Sequence, residues 1–104
     1  MISSAELQYE YTKLYALLRE YLWPIDIIEV ISDLEVACYT AFPDMNKVKS
    51  AFGKLRKATK EIEKVDEDLK KRLESFQTLL DGADGVYCKL NSVQEVVNDE
   101  SVEE

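Results

Sequence analysis

Between Met45 and Leu80 one seam of positions recurs three and four residues apart without a break: Met45, Val48, Phe52, Leu55, Thr59, Ile62, Asp66, Leu69, Leu73, Phe76 and Leu80. That alternation keeps one side of a helix turned toward one neighbour and cannot serve the two-residue period of a strand. With Met45, Phe52, Thr59, Asp66, Leu73 and Leu80 as a positions, the d positions are Val48, Leu55, Ile62, Leu69 and Phe76. Ala51, Ala58, Val65 and Leu79 widen the seam into the broader face of a bundle helix. Gly53 falls on the opposite side, where its cost is about 1 kcal/mol.

Asp66 is the sole acid in an a position. Followed by Glu67 and Asp68, it also carries the signature of a helix start, a cap with two acids in the first turn. The phase nevertheless runs unbroken from Ile62 to Leu69, so the segment reads as one helix through Asp66. An acid in the seam then becomes a polar device that sets register or partner choice.

Upstream, Ser3 and Glu6 form a capping-box pattern, and Leu7, Tyr11, Leu14, Leu18 and Leu22 continue from it as one apolar stripe. Pro24 removes a donor and clashes with the preceding turn, so the helix kinks or restarts there. Ile27, Ile31, Leu34, Cys38 and Ala41 then share a face, with Asp26, Glu29 and Asp33 largely on another. Its β-branched residues would suit a strand, but the run is long and its spacing helical. Pro43 disfavours helix at Phe42, and Asp44 is placed to cap the next helix. Gly82 suits the left-handed position after a helix. Val86, Leu90, Val93 and Val97 indicate a short last helix, with a strand over 86–90 as the alternative. Residues 98–104 read as an acidic, disordered tail, leaving 1–97 as a single domain.

The expected fold is therefore all-α: a hairpin of two long helices, the first kinked near Pro24, plus a short C-terminal helix. Arms of about 39 and 37 residues would each extend roughly 55 Å. Two such arms cannot close a round core, so the bundle would be completed by oligomerisation. Three glycines and two prolines in 104 residues are too few for the turns of an all-β fold. Secreted helical hairpins of the WXG100 type share this size and layout, but their Trp-x-Gly turn is replaced here by "AFPDM", and Trp23 precedes Pro24.

The net charge of −8 is unevenly spread. Residues 1–44 carry −6, residues 45–80 carry +4 and residues 81–104 carry −6. Cys38 and Cys88 stand alone on apolar stretches without metal-ligand spacing, which reads as buried thiols in a reducing cytoplasm. No leader pattern opens the chain, and no apolar run approaches the roughly 18 residues that cross a bilayer. A cytoplasmic protein without a membrane role is expected.

The absence of histidine removes imidazole triads, most zinc sites and the Glu-x-x-His di-iron arrangement. One carboxylate constellation remains: Asp26 with Glu29 and Glu63 with Asp66, each pair about one turn apart and able to offer Mg²⁺ four oxygen ligands from two helices. The all-α nucleoside triphosphate pyrophosphatases of the MazG and dimeric dUTPase type are built this way, but their Glu-Glu-x-x-Glu run is missing. No catalytic residue, cofactor or metal ligand is assigned, and a Mg-dependent pyrophosphatase is the last of three readings.

The second reading is nucleic-acid association through the basic stripe of residues 47–64. At 100° per residue, Lys49, Arg56, Lys57, Lys60 and Lys64 gather opposite Val48, Leu55 and Ile62. A solvated helix face explains the same pattern, supported by i,i+4 pairs such as Asp66 with Lys70, worth a few tenths of a kcal/mol each. The first reading rests on aromatic residues: Tyr9, Tyr11, Tyr15, Tyr21 and Trp23 spread too widely around one helix to share a core, and such residues suit an interface. The expected function is thus a non-enzymatic helical module that binds itself or another protein, as an adaptor, assembly factor or inhibitor. A small accessory protein of a phage or mobile element fits such a chain.

Overall fold

Ser3 opens the first helix as the spacing requires. Its backbone N–H donates to Glu6 Oε1 at 2.8 Å and its Oγ accepts from the Glu6 N–H at 3.2 Å, so two donors with no helical partner are satisfied reciprocally. The structure, a computed structural model, describes residues 2–83. The expected helix or strand over 86–97, Cys88 and the acidic tail lie outside them.

Helix α1 (Ser4–Leu18) buries Leu7, Tyr11, Leu14 and Leu18. It stops before the fifth stripe residue, because the chain turns at Leu18: the Tyr21 N–H and the Trp23 indole N–H both donate to the Leu18 carbonyl, at 3.1 and 2.8 Å. The expected kink near Pro24 is therefore a full interruption over residues 19–24, and Leu22 is wholly exposed. Pro24 is the extended residue that precedes α2 (Ile25–Cys38), its carbonyl accepting from the Ile27 and Ile28 N–H groups at 3.0 Å. Ile31, Leu34 and Cys38 enter the core from α2, whereas Ala41 lies beyond its end and is exposed.

Asp44 accepts from the Asn46 N–H at 2.9 Å and starts α3 (Met45–Ala58), which buries Met45, Val48, Ala51, Phe52 and Leu55. The long helix expected to continue to Leu80 does not. α3 ends at the buried Thr59, whose hydroxyl donates to the Arg56 carbonyl at 3.2 Å. One turn, α4 (Lys60–Glu63), follows and is tied back to α3 by Arg56, which grips Glu63 with two contacts of 3.3 Å. Asp66 has extended backbone, with φ −117° and ψ 95°, and its Oδ1 accepts from the Leu69 N–H at 3.0 Å. It is the cap of α5 (Glu67–Asp81), not a residue of a continuous seam. The unbroken phase has a simple origin. A capping side chain reaches the N–H three residues on, and here that residue, Leu69, is also the first core residue of α5, so cap and heptad share one three-residue step. Gly82 ends α5 in the right-handed region, with φ −83°, and not in the left-handed conformation its position suggested.

The two expected arms are thus each folded in the middle. α1 runs antiparallel to α5: Glu10 accepts from the Ser75 hydroxyl at 3.1 Å near the middle of both, and Tyr21, beyond the end of α1, bonds Asp66 at the start of α5. α1 is likewise antiparallel to α2, with Gln8 Nε2 donating to the Cys38 carbonyl at 3.3 Å and Leu18 beside Ile31. α2 packs closely on α3 and α1 on α5, while the backbones of α1 and α3, like those of α2 and α5, stay apart on the diagonals. The result is an up-down-up-down four-helix bundle. Aromatic rings hold its two wider seams apart. Phe52 of α3 stacks on Phe76 of α5 with ring centroids 4.7 Å apart and planes 11° from parallel. Between α1 and α2, Tyr11 stacks on Tyr15 at 5.9 Å and meets Tyr39 edge-on at 6.1 Å.

Candidate interaction face

Because α1 ends at Leu18 and α2 begins at Ile25, the linker lays Tyr21, Leu22 and Trp23 across one end of the wide α1/α2 seam. The seam opens there into a groove of ≈ 450 Å³ with Leu18 and Ile31 lining its buried part and Tyr15, Leu22, Trp23 and Ile28 among its more exposed walls. Tyr21 and Trp23 pack together with centroids 5.5 Å apart. Arg19, Ser32 and Glu35 supply the polar edge. Beyond the groove the exposed side of α2 and its C-terminal continuation carry further apolar side chains, Ile25, Val36, Tyr39 and Phe42. Of the exposed acids of α2, Glu35 lines the groove, whereas Asp33 lines a second cleft, between α2 and α3, together with Lys47 and Lys54; α2 itself contains no lysine or arginine.

The aromatic residues singled out in the sequence divide into three groups. Tyr11 is core, 2% exposed, with its hydroxyl donating to the Ile31 carbonyl at 3.4 Å. Burial pushes its phenol far above the ordinary 10, and the neighbouring Glu35 carboxylate adds to the shift. It is therefore no contact residue of an outer surface. Tyr9 is exposed on another side of α1, under the Lys13 ammonium, which lies 4.1 Å from its ring centroid. Tyr15, Tyr21 and Trp23 line the groove.

Asp66 is joined to this set by its hydrogen bond from the Tyr21 hydroxyl. That bond and the Leu69 N–H hold its carboxyl below the usual carboxylate range, and the same bond raises the Tyr21 phenol. Asp66 thus pins the α1–α2 linker to the start of α5.

The basic stripe survives only in pieces. Arg56 is occupied by Glu63 and Lys64 by Glu61, at 3.3 and 3.1 Å, while Lys49, Lys57 and Lys60 are exposed. The interruption at Thr59 leaves Lys49, Arg56 and Lys57 on α3 and Lys60 on α4, with Lys64 just beyond the end of α4. The four acids of the Mg²⁺ constellation have separate employment: Glu63 holds Arg56, Asp66 caps α5 and bonds Tyr21, and Asp26 and Glu29 face outward. Among the described residues no three acidic or cysteine side chains come together as a metal-holding group, and no helix is long and apolar enough to cross a membrane.

The sequence places Leu22 on the buried stripe of the first helix, which its exposure overturns, and singles out none of Ile25, Ile28, Val36, Tyr39 and Phe42. Their signal was present: the segment from Ile25 is richer in apolar residues than one buried stripe can use, and the surplus lies at off-stripe positions. No protein-family model matches the chain, and no curated protein and no solved structure matches it either.

Proposed function

We propose that this chain is a non-enzymatic helical module that works through protein contacts, as an adaptor, assembly factor or inhibitor, and that the α1/α2 face makes them. The observation that carries this reading is the unequal treatment of large apolar side chains. The core is completed by four helices of one chain, yet Leu22, Ile25, Ile28, Val36, Tyr39 and Phe42 stay in water, and four of these six belong to or directly follow α2. Scattered exposed apolar residues need no explanation; a band of them beside a groove with aromatic walls does. Tyrosine and tryptophan at the groove mouth match the composition of binding hot spots.

Self-association belongs to the same reading as one form of protein contact, although a bundle closed by its own four helices no longer requires a second copy. The test is site-specific photocrosslinking in the native host, with a photoreactive residue at position 28 or 36 and, as control, at position 57. Crosslinks to one defined protein species from 28 and 36 but not 57, reproduced with the two purified components, are expected. Crosslinks confined to position 57 and made to nucleic acid would overturn the reading in favour of the basic side.

A further inference from the structure

We infer that residues 86–97 of this chain lie along the α1/α2 seam as an amphipathic helix and cover its groove, so that a partner reaches the groove only by displacing them. The displacement rests on the interaction-module reading; the docking of the segment does not. Where the described chain ends brings the segment to this seam. α5 is antiparallel to α1, and α1 to α2, so Ala83 leaves the bundle at the end where α1 starts and α2 stops. Only α1 lies between α5 and the seam. Three extended residues, 84–86, reach about 10 Å, the width of one helix. Tyr15, at the near edge of the groove, stands about 16 Å along α1 from Ser4, and a helix over 86–97 spans about 18 Å. The segment is thus long enough to cross α1 and then run the seam as far as the groove.

Its side chains fit what the seam exposes. Val86, Leu90, Val93 and Val97 recur four and three apart and form one stripe on such a helix. The four-helix core is already closed, so this stripe finds cover only on an outer surface. Along the seam, going away from the α5 exit, stand the half-exposed rings of Tyr39 and Tyr15 and then the exposed Ile28 and Leu22. A helix laid between two helices inserts its anchors into such a row at these spacings. Charge does not oppose the contact: Arg19 and Glu35 are the charged residues of the groove, Lys89 and Glu95 those of the segment, and each pair sums to zero. The cleft between the closely packed α2 and α3 offers valines and alanines among Lys47, Lys54 and Asp33, and that between α3 and α5 is lined by Arg56, Lys57 and Lys60. Neither presents a row of large apolar side chains. A segment tethered this close acts at an effective concentration on the order of millimolar, which sets the affinity a partner must exceed to bind the face.

The experiment places a photoreactive residue at position 28 of the purified full chain, with position 57 as control, and maps the crosslinks by mass spectrometry. Crosslinks from position 28 into residues 86–97 of the same chain are expected, unchanged on dilution and absent from position 57. Leu90→Asp should abolish them and open Trp23, the single tryptophan and a wall of the groove, to acrylamide quenching. Val93→Asp should repeat both effects, whereas Asn91→Asp, off the stripe, should leave both unchanged. Far-UV circular dichroism melts verify that the variants remain folded. Crosslinks from position 28 that avoid residues 86–97, equal crosslinks from position 57, or a Leu90→Asp chain that behaves as the wild type overturns the proposal. So do crosslinks joining isotopically light and heavy chains in a mixture, which assign the groove to a second copy. In the native host, Leu90→Asp should raise the yield of partner crosslinks from position 28, and an unchanged yield refutes the displacement. Partner capture without crosslinks into residues 86–97 removes the docking and leaves the module reading standing; crosslinks into the segment with no partner captured, even by Leu90→Asp, do the reverse.

Discussion

Leu18 and Leu22 are one turn apart on the same sequence stripe, and the structure treats them oppositely: Leu18 is 0% exposed and Leu22 102%. Truncating each to alanine therefore separates a bundle with a broken first arm from a hairpin with a continuous one. For Leu18 the loss combines the transfer free energy of the removed carbon atoms with the cavity left between α1 and its neighbours, about 3–4 kcal/mol within the range of buried leucine truncations. In a domain of this size about 1 kcal/mol moves the melting temperature by roughly 4–8 °C, so Leu18→Ala lowers it by well over 10 °C. Leu22→Ala removes a side chain that already lies in water and changes stability by no more than about 0.5 kcal/mol. Urea unfolding followed by far-UV circular dichroism gives both values at constant m, and Trp23 emission is a second probe of the same transition. A cost at Leu22 comparable to that at Leu18 would refute the interruption at residues 19–24 and restore a long first helix.

Asp66→Asn should flatten the acid limb of the stability curve. The Tyr21 hydroxyl and the Leu69 N–H lower the folded carboxyl from 3.8, so the unfolded chain takes up the proton first; the contribution is present above 3.8 and is lost as pH falls below it. Urea midpoints between pH 7 and pH 2 compare the two proteins, and parallel curves would mean that the bond to Tyr21 does not form. Tyr21, raised from 10 by the same partner, should stabilise the fold below pH 10 and cease to do so at higher pH, an effect absent in Tyr21→Phe. A double-mutant cycle on Phe52 and Phe76, each changed to leucine, should give a coupling of about 0.5–1.5 kcal/mol from their stacked rings; additivity would place the two helices' rings out of contact. Ser3→Ala should cost about 1 kcal/mol by removing the cap that accepts the Glu6 N–H, with Ser3→Asp close to neutral in urea melts.

Much of the local structure could be read directly from residue spacing. The Ser3 and Glu6 box, the Asp44 cap and the buried stripes of α1, α3 and α5 follow from interactions between residues three or four apart, which act before any tertiary contact exists. Gly53 falls on the outside for the same reason. The candidate face was half legible. Tyr15, Tyr21 and Trp23 stood out as aromatic residues in excess of one stripe; Tyr11, grouped with them, is core, as its place on the stripe of Leu7, Leu14 and Leu18 already indicated.

The sequence by itself determined that the chain is helical, where most of its caps lie and which side chains each helix turns inward, since all of these depend on backbone geometry and near neighbours. The tertiary structure decided where the long patterns break. A seam with a three-and-four rhythm is satisfied equally by one helix along a partner and by two helices, capped at Asp66, that reach the same core from opposite directions. The choice rests on remote partners: the Trp23 indole on the Leu18 carbonyl, the Tyr21 hydroxyl on Asp66, and the Phe52 ring on Phe76. Folding each arm in the middle lets four short helices bury one another's stripes within a single chain. It also leaves the outer side of α2, with its apolar residues and four acids, as the surface the core does not use.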